Sequence, residues 1–192
     1  MSALALNRPL VGRFIPDEGA ARIVALAGFA VLGSLILWAS AKVSVPFWPV
    51  PMTLQTGAVA LLAAAYGWRL GLATVVLYLM EGAAGLPVFQ GGGGLAYLAG
   101  PTGGFLIGFA LAAALVGWFA ERGFDRNPVK LFGAMVVADA IVFALGLLWL
   151  GTVIGWDKPV LQLGLYPFIL GDLVKMALAA GIVSAGATLV RR

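Results

Sequence analysis

Cysteine and histidine are both absent from the 192-residue sequence, and charged residues make up only 10% of it. Without cysteine there are no disulfides and no thiolate metal ligands, and without histidine there are no imidazole ligands and no catalytic triad with a histidine base. We also expect no metal site, no cofactor and no enzymatic activity in this chain. A soluble domain has about a quarter of its residues charged, so the low charge excludes an ordinary soluble protein.

Apolar residues take the place of the missing charge. They make up 62% of the chain, and the mean hydropathy is +1.03. A helix of about twenty apolar residues crosses the hydrocarbon core of a bilayer. The sequence therefore predicts an all-α polytopic membrane protein, with a single transmembrane domain over residues 1–192 and six helices at 23–41, 52–66, 70–85, 103–120, 131–150 and 167–190.

Three of these runs need comment. The second and third are short for a full span, so we expect neighbouring loops to enter the membrane or the boundaries to shift by a few residues. The first, which ends at Ala39-Ser40-Ala41, also resembles a cleavable signal peptide, although its apolar stretch is long for one. We expect it to remain as a helix of the bundle.

The distribution of basic residues predicts the orientation. The net charge of +4 is spread over several loops, which argues against a nucleic-acid surface. With an even number of helices, nine Lys or Arg residues fall on the side of the termini and two on the other side, and cytoplasmic loops carry such an excess. We therefore predict a protein of the bacterial inner membrane, with cytoplasmic termini and outward loops at 43–51, 86–102 and 151–166. The nine are Arg8, Arg13, Arg22, Arg69, Arg122, Arg126, Lys130, Arg191 and Arg192, and the two are Lys42 and Lys158.

Charged residues within the predicted helices are Glu81, Asp139, Asp172 and Lys175. A charge at the centre of a membrane helix costs about 2.5 to 3.5 kcal/mol, so each should face protein or a cavity. Asp172 and Lys175 share a helix face. They indicate either an outward polar site, in which Lys175 meets an anion and Asp172 accepts hydrogen bonds from ligand N–H groups, or a self-neutralising structural ion pair. We expect Glu81 to reach the membrane interface and Asp139 to hydrogen-bond to another helix.

Two outward loops carry the strongest local patterns. Residues 86–105 combine a glycine run with Phe89 and Tyr97, which suits a loop folded over a small ligand with its N–H groups exposed. Residues 45–56 lead prolines and aromatic residues into Gln55, whose amide needs a partner on another helix or on a ligand. No lysine follows a glycine, so the chain lacks a Walker A motif and cannot by itself be a P-loop ATPase.

Four ordered motifs stand out along the chain: Val45–Thr56, Gly85–Phe89 with the glycine run behind it, Gly100–Gly104, and Gly171–Lys175. Together they resemble the BioY family, the biotin-binding substrate component of energy-coupling factor (ECF) transporters, and the match extends from Val24 to Leu189. The resemblance implies a six-helix, ECF S-component-like bundle whose outer loops close over biotin. It also implies docking onto a transmembrane coupling subunit and two cytosolic ATPases, which agrees with the missing Walker motif.

The resemblance also implies roles for side chains. Biotin has a carboxylate, a ureido group and an apolar bicycle with a four-methylene tail. We expect Lys175 to bind the carboxylate, although Lys175 and Asp172 are close enough to serve the same end of the ligand. Relatives often have a polar side chain within the glycine run, and some have a basic residue where this chain has Leu106, so other residues must supply those contacts. The candidate substrate-binding residues are Asp172, Lys175, Gln55, Tyr97, Phe89, Gln90, Gly93, Gly94 and Trp48.

The first helix carries a loose stripe of small residues, Ala27, Ala30, Gly33 and Ser34. The family uses such a stripe to pack against the coupling subunit, and small residues promote close helix approach in lipid.

Two other classes of function remain open. One is a proton-coupled carrier that uses Glu81, Asp139 and Asp172, although the matched broken helices of many carriers are not visible in the sequence. The other is a non-transporting helper subunit of a membrane complex.

Overall fold

The fold, obtained as a computed structural model, is a bundle of six long helices over the described residues 8–190. Arg191 and Arg192, which the orientation prediction counts, lie outside the described residues. The number of long helices agrees with the prediction. They are α1 (Gly19–Lys42), α2 (Gln55–Tyr66), α3 (Trp68–Ala83), α5 (Gly103–Glu121), α6 (Pro128–Ile154) and α8 (Tyr166–Val190).

Short elements connect the long helices on one side of the bundle. Strands β1 (Ser44–Val45) and β2 (Met52–Thr53) form an antiparallel hairpin in which Ser44 pairs with Thr53. Two short helices, α4 (Leu95–Leu98) and α7 (Val160–Gly164), precede α5 and α8. Single 3-10 turns occur at Val11–Arg13 and Phe124–Arg126.

The predicted start of the second helix is wrong. Met52 and Thr53 belong to β2, and α2 begins only at Gln55. The prolines before it explain the difference, because a residue that precedes proline is pushed into extended conformations. Val50 precedes Pro51, so the chain reaches α2 in an extended form that can pair with β1.

Helix α6 is longer at both ends than predicted, because local capping signals lie outside the apolar run. At its start, the Asn127 side chain accepts hydrogen bonds from the backbone N–H groups of Val129 and Lys130, and Pro128 occupies the first turn. At its end, Gly155 has a φ of +98°, a conformation that terminates helices and that glycine adopts without strain.

Helix α5 is the centre of the bundle. It packs against α6, α2 and α3, while α8 packs against α2 and α6, and α1 packs mainly against α3. The α5–α6 contact is close: a Cβ added to Gly108 would lie 2.8 Å from Val142 Cα. Small residues at such crossings bring helix backbones together in lipid.

Four helical segments of the described residues are long and apolar enough to cross a membrane: Gly19–Lys42, Gly103–Glu121, Pro128–Ile154 and the continuous segment Val160–Val190. Helices α2 and α3, with 12 and 16 residues, are shorter, as expected for the second and third runs. They follow one another directly, since only Gly67 separates them.

Candidate functional site

A cavity of about 580 Å³, counting the part that is open to solvent, lies where α2, α5, α6 and α8 meet beneath the hairpin and the 86–97 loop. Of its lining residues, only Asp172 and Lys175 are charged. The cavity therefore combines one ionic cluster with walls that are mostly apolar. Its lining consists of Val50, Pro51, Thr53, Gln55, Thr56, Phe89, Gln90, Tyr97, Thr102, Phe105, Leu106, Phe109, Val142, Phe143, Phe168, Asp172 and Lys175.

Asp172 and Lys175 form an ion pair on α8, with 2.6 Å between Lys175 Nζ and Asp172 Oδ1. The side chains are 3% and 13% exposed, so the pair is almost fully removed from solvent. The ion pair predicted as one alternative therefore exists, and it also faces the cavity, which was the other alternative.

Two threonines complete the cluster around the pair. Lys175 Nζ also donates to the backbone carbonyl of Thr53 at 2.7 Å and to Thr56 Oγ1 at 3.2 Å. Thr56 Oγ1 in turn donates to Asp172 Oδ1 at 2.8 Å. All three N–H groups of Lys175 thus have acceptors, while Asp172 Oδ2 accepts no hydrogen bond from the described residues. The cluster carries no net charge and offers one spare carboxylate oxygen.

Aromatic side chains from three helices form one wall of the cavity, and the sequence did not indicate them. Phe105, Phe143 and Phe168, from three different helices, form a continuous surface with ring centroids 6.2 and 6.4 Å apart. Nothing in the sequence distinguishes these residues from the many apolar residues that face lipid. Their role emerges only from the packing of α5, α6 and α8.

The 86–97 loop covers the cavity through Phe89. This side chain is 1% exposed, stacks on Tyr97 with 5.1 Å between ring centroids, and meets Tyr78 edge-on at 5.4 Å. Tyr78 Oη donates to the Val88 carbonyl at 2.9 Å, which ties the loop to α3. Phe89, Tyr97 and the neighbouring Gln90, which the sequence analysis names as candidate substrate-binding residues, all line the cavity.

Gln55 finds its partner on another helix and still faces the cavity. Its side-chain Nε2 donates to Tyr78 Oη at 2.8 Å, and the residue is among those that line the cavity. Tyr78 therefore receives a hydrogen bond from α2 while it donates one to the loop. The Gln55 amide therefore has a partner on α3, and the side chain is also placed where a ligand in the cavity could contact it.

Three predicted substrate-binding residues lie outside the cavity lining. Trp48 is 81% exposed and does not line the cavity. Gly94 has a φ of +93° and donates from its backbone N–H to the Gly82 carbonyl at 2.6 Å. A side chain on Gly93 would collide with the Leu86 carbonyl. The two glycines shape the loop and do not contact the cavity.

The stripe of small residues on α1 is divided between two surfaces. Ala27 is exposed and Ala30 is half-buried, but Gly33 and Ser34 are buried against α3. Ser34 Oγ donates to the Glu81 carboxylate, and a Cβ on Gly33 would collide with Thr74. A place for Gly33 and Ser34 in a coupling-subunit interface is therefore incompatible with this structure. Glu81, expected at the membrane interface, bridges α3 to α1.

Asp139 does not make the expected hydrogen bond to another helix. Its Oδ1 atom is buried and has no hydrogen-bond partner among the described residues. The residue lines a small, otherwise apolar cavity on α6 that Thr56 also borders. Asp139 therefore lies beneath the ionic cluster and is not part of it.

Comparison with known proteins identifies the family of the chain. A model of the BioY family matches residues 15–192. Similar proteins include a probable biotin transporter BioY of Pyrococcus horikoshii, 39% identical over 72% of this chain and 82% of that one, and a biotin transporter BioY of Thermotoga maritima, 38% identical over 73% and 82%.

A solved structure shows the same architecture. The S-component for biotin from an ECF-type ABC transporter superposes with a TM-score of 0.76 at 23% identity, covering 88% of this chain and 94% of that one. The agreement in fold, together with the match of the family model over nearly the whole sequence, shows that this membrane protein belongs to the BioY family.

Proposed function

We propose that the protein binds biotin in the cavity beneath the 86–97 loop, as the substrate-binding component of an ECF-type vitamin uptake transporter. The observation that carries the proposal is the cavity itself. It combines a neutral cluster of hydrogen-bonding groups with an aromatic wall, in a chain whose curated relatives are named biotin transporters. Ligand sites are typically of this kind, largely apolar with a few placed polar groups.

The Asp172–Lys175 cluster suits the ureido end of biotin. Asp172 Oδ2 is open to a ligand N–H, and the adjacent Lys175 ammonium can donate to the ureido oxygen by exchanging one of its present acceptors. A neutral ureido group leaves the desolvated cluster without net charge. A ligand carboxylate at the same place would put two anions around one ammonium, and buried uncompensated charge is strongly unfavourable. The structure therefore supports the ureido group here, in place of the carboxylate expected from the sequence.

The remaining surfaces suit the apolar body of biotin. Phe105, Phe143 and Phe168 offer one wall, while Phe89 and Tyr97 offer the other. Aromatic side chains supply large apolar contact areas of fixed shape. The bicycle and the methylene tail would lie between these two walls, and the 86–97 loop would separate them from the outside. No further cofactor is required.

Transport would need partner subunits. The chain has no Walker A motif, and the solved structure with the same fold is an S-component of an ABC transporter. We infer a transmembrane coupling subunit and two cytosolic ATPases as partners, in a bacterial cell membrane with both termini in the cytoplasm.

A proton-coupled carrier is less well supported. Glu81 is hydrogen-bonded to Ser34, and Asp172 is paired with Lys175, which leaves only Asp139 of the proposed proton carriers.

Purification from a biotin-containing medium tests the proposal. The detergent-solubilised protein should carry about one biotin per chain by mass spectrometry, and stripped protein should rebind biotin in calorimetric titrations. Asp172→Asn should reduce binding, while Thr152→Val, a change outside the lining, should not. Purified protein that neither retains nor rebinds biotin would overturn the proposed function.

A further inference from the structure

Lys42, the last residue of α1, lies against the outer wall of the cavity. Its Nζ donates to the Phe89 carbonyl at 2.6 Å and reaches the Gln90 carbonyl at 3.5 Å. Both Phe89 and Gln90 line the cavity. Although Lys42 is not itself a lining residue, a single stretch of loop backbone separates its ammonium from the cavity.

The charge of Lys42 is not compensated by a carboxylate in the described part of the chain. Its acceptors are neutral carbonyls, whereas Lys175 is paired with Asp172 and Lys158 with Asp157. Two carbonyl acceptors also leave one of its N–H groups without a protein partner among the described residues. Of the lysines on the predicted outer side or in the site, Lys42 is thus the one that has no carboxylate partner among the described residues.

A chain of contacts through the hairpin and the Gln90 side chain connects Lys175 to Lys42. The Thr53 carbonyl binds Lys175, and Thr53 pairs across the hairpin with Ser44. Ser44 Oγ accepts a hydrogen bond from Gln90 Nε2 at 3.4 Å, and the Gln90 carbonyl faces Lys42. The neutral cluster and the uncompensated cation therefore contact the same hairpin and loop, with Thr53, Ser44 and Gln90 between them.

We propose that Lys42 is a specificity-determining residue, which binds the carboxylate of the ligand at the outer end of the cavity. This inference rests on the proposed function, because it assumes a ligand with a neutral polar head at the Asp172–Lys175 cluster and an anionic tail. A ligand that extends from that cluster along the aromatic walls reaches the loop at Phe89 and Gln90, and its carboxylate would replace one of the two loop carbonyls that the Lys42 ammonium binds. Because the Lys42 ammonium also binds a loop carbonyl, it connects the ligand to the loop. An anionic ligand therefore stabilises the 86–97 loop in its position over the cavity. A neutral analogue lacks that effect.

The test compares biotin with its primary amide, which lacks the negative charge but keeps the ureido head and the tail. Calorimetric titrations use wild type, Lys42→Gln, Lys42→Arg and the matched control Lys158→Gln, which removes one exposed lysine on the same side. Wild type should bind the acid on the order of tenfold to hundredfold more tightly than the amide, the usual effect of a hydrogen bond to a charged group. Lys42→Gln should abolish that preference by weakening the acid alone. Lys42→Arg and Lys158→Gln should keep it.

Three results would overturn the inference. If Lys42→Gln lowers the affinity for the acid and for the amide equally, Lys42 only holds the loop in place and does not bind the carboxylate. An unchanged preference in Lys42→Gln would place the carboxylate elsewhere. A wild-type preference near one would exclude any cationic contact, and this measurement decides the matter even if Lys42→Gln does not fold. Wild type that binds neither ligand would instead overturn the proposed function, and the inference with it.

Discussion

Asp172 Oδ1 and Lys175 Nζ lie 2.6 Å apart, and Thr56 joins both from the neighbouring helix α2. The cluster therefore fastens α8 to α2 and lines the cavity at the same time. In a desolvated pair each charge depends on the other, and removal of one partner typically costs about 3 to 5 kcal/mol. Experiments on this pair must separate its effect on stability from its effect on the ligand.

The first prediction concerns the end of biotin that meets Lys175. Lys175→Met should weaken biotin and its primary amide by the same factor, on the order of tenfold to hundredfold, because both ligands carry the ureido group. Parallel calorimetric titrations measure the two factors. A much larger loss of affinity for the acid than for the amide would show that Lys175 binds the carboxylate, as the sequence suggested.

The second prediction separates ligand contact from structural pairing. Lys175→Met alone should lower the melting temperature of the ligand-free protein, because Asp172 is then a buried charge without a counterion. The double variant Asp172→Asn/Lys175→Met should recover most of the lost stability, since neutral replacement of a buried pair is often tolerated. Its biotin affinity should remain at least as low as that of Lys175→Met. Recovery of binding along with stability would show that the pair has only a structural role.

The six-helix framework could be predicted because long apolar runs are visible directly in the sequence. The ion pair could be proposed as one alternative because few charged residues occur within those runs. The aromatic wall could not be predicted. In a soluble helix the apolar face marks the core, but a membrane helix is apolar on all sides, so Phe105 or Phe168 cannot be distinguished from a lipid-facing residue. Their partners lie on helices far apart in the chain.

The small residues of α1 show a second limit. Gly33 and Ser34 promote close helix approach, as the sequence indicated, but the helix that approaches is α3 of the same chain. Sequence spacing indicates which residues share a helix face, but it does not indicate which helix packs against that face. Gln55 is similar: its need for a partner was predictable, whereas Tyr78 as that partner was not.

The third prediction concerns the packing of Phe89 against Gly82. A Cβ on Gly82 would collide with the Phe89 ring, so Gly82→Ala should displace this side chain and disturb the loop that covers the cavity. Overpacking costs about 1 to 3 kcal/mol, and we expect biotin affinity to fall by a comparable free energy. Gly133→Ala is the matched control, because the space around that helical glycine is open. Wild-type affinity in Gly82→Ala would show that Phe89 is not required for binding.

The fourth prediction concerns orientation, which rests on the Lys/Arg asymmetry of the loops. The chain has no cysteine, so single cysteines can be labelled without background. Trp48→Cys, at a side chain that is 81% exposed, should react with a membrane-impermeant maleimide added to intact cells. Arg126→Cys should react only after the membrane is opened. The reverse pattern would place the cavity on the cytoplasmic side.

The fifth prediction concerns assembly with the coupling subunit. Of the small residues on α1, Ala27 is exposed to the surroundings of the bundle, whereas Ser34 is buried. Ala27→Trp should therefore reduce co-purification with the coupling subunit and the ATPases, and reduce the ATP hydrolysis of the assembled complex, while biotin binding by the isolated chain stays unchanged.

Two controls make this last test specific. Ile36→Trp introduces the same bulk at a position that is 39% exposed, half a helical turn around α1 from Ala27 at about 100° per residue. It should leave assembly intact. Ser34→Ala should instead lower the melting temperature, because it removes the hydrogen bond to Glu81 and leaves that carboxylate without its partner. If Ala27→Trp assembles normally while Ile36→Trp does not, the coupling subunit contacts the opposite face of α1, and the small residues there serve only the packing of the bundle.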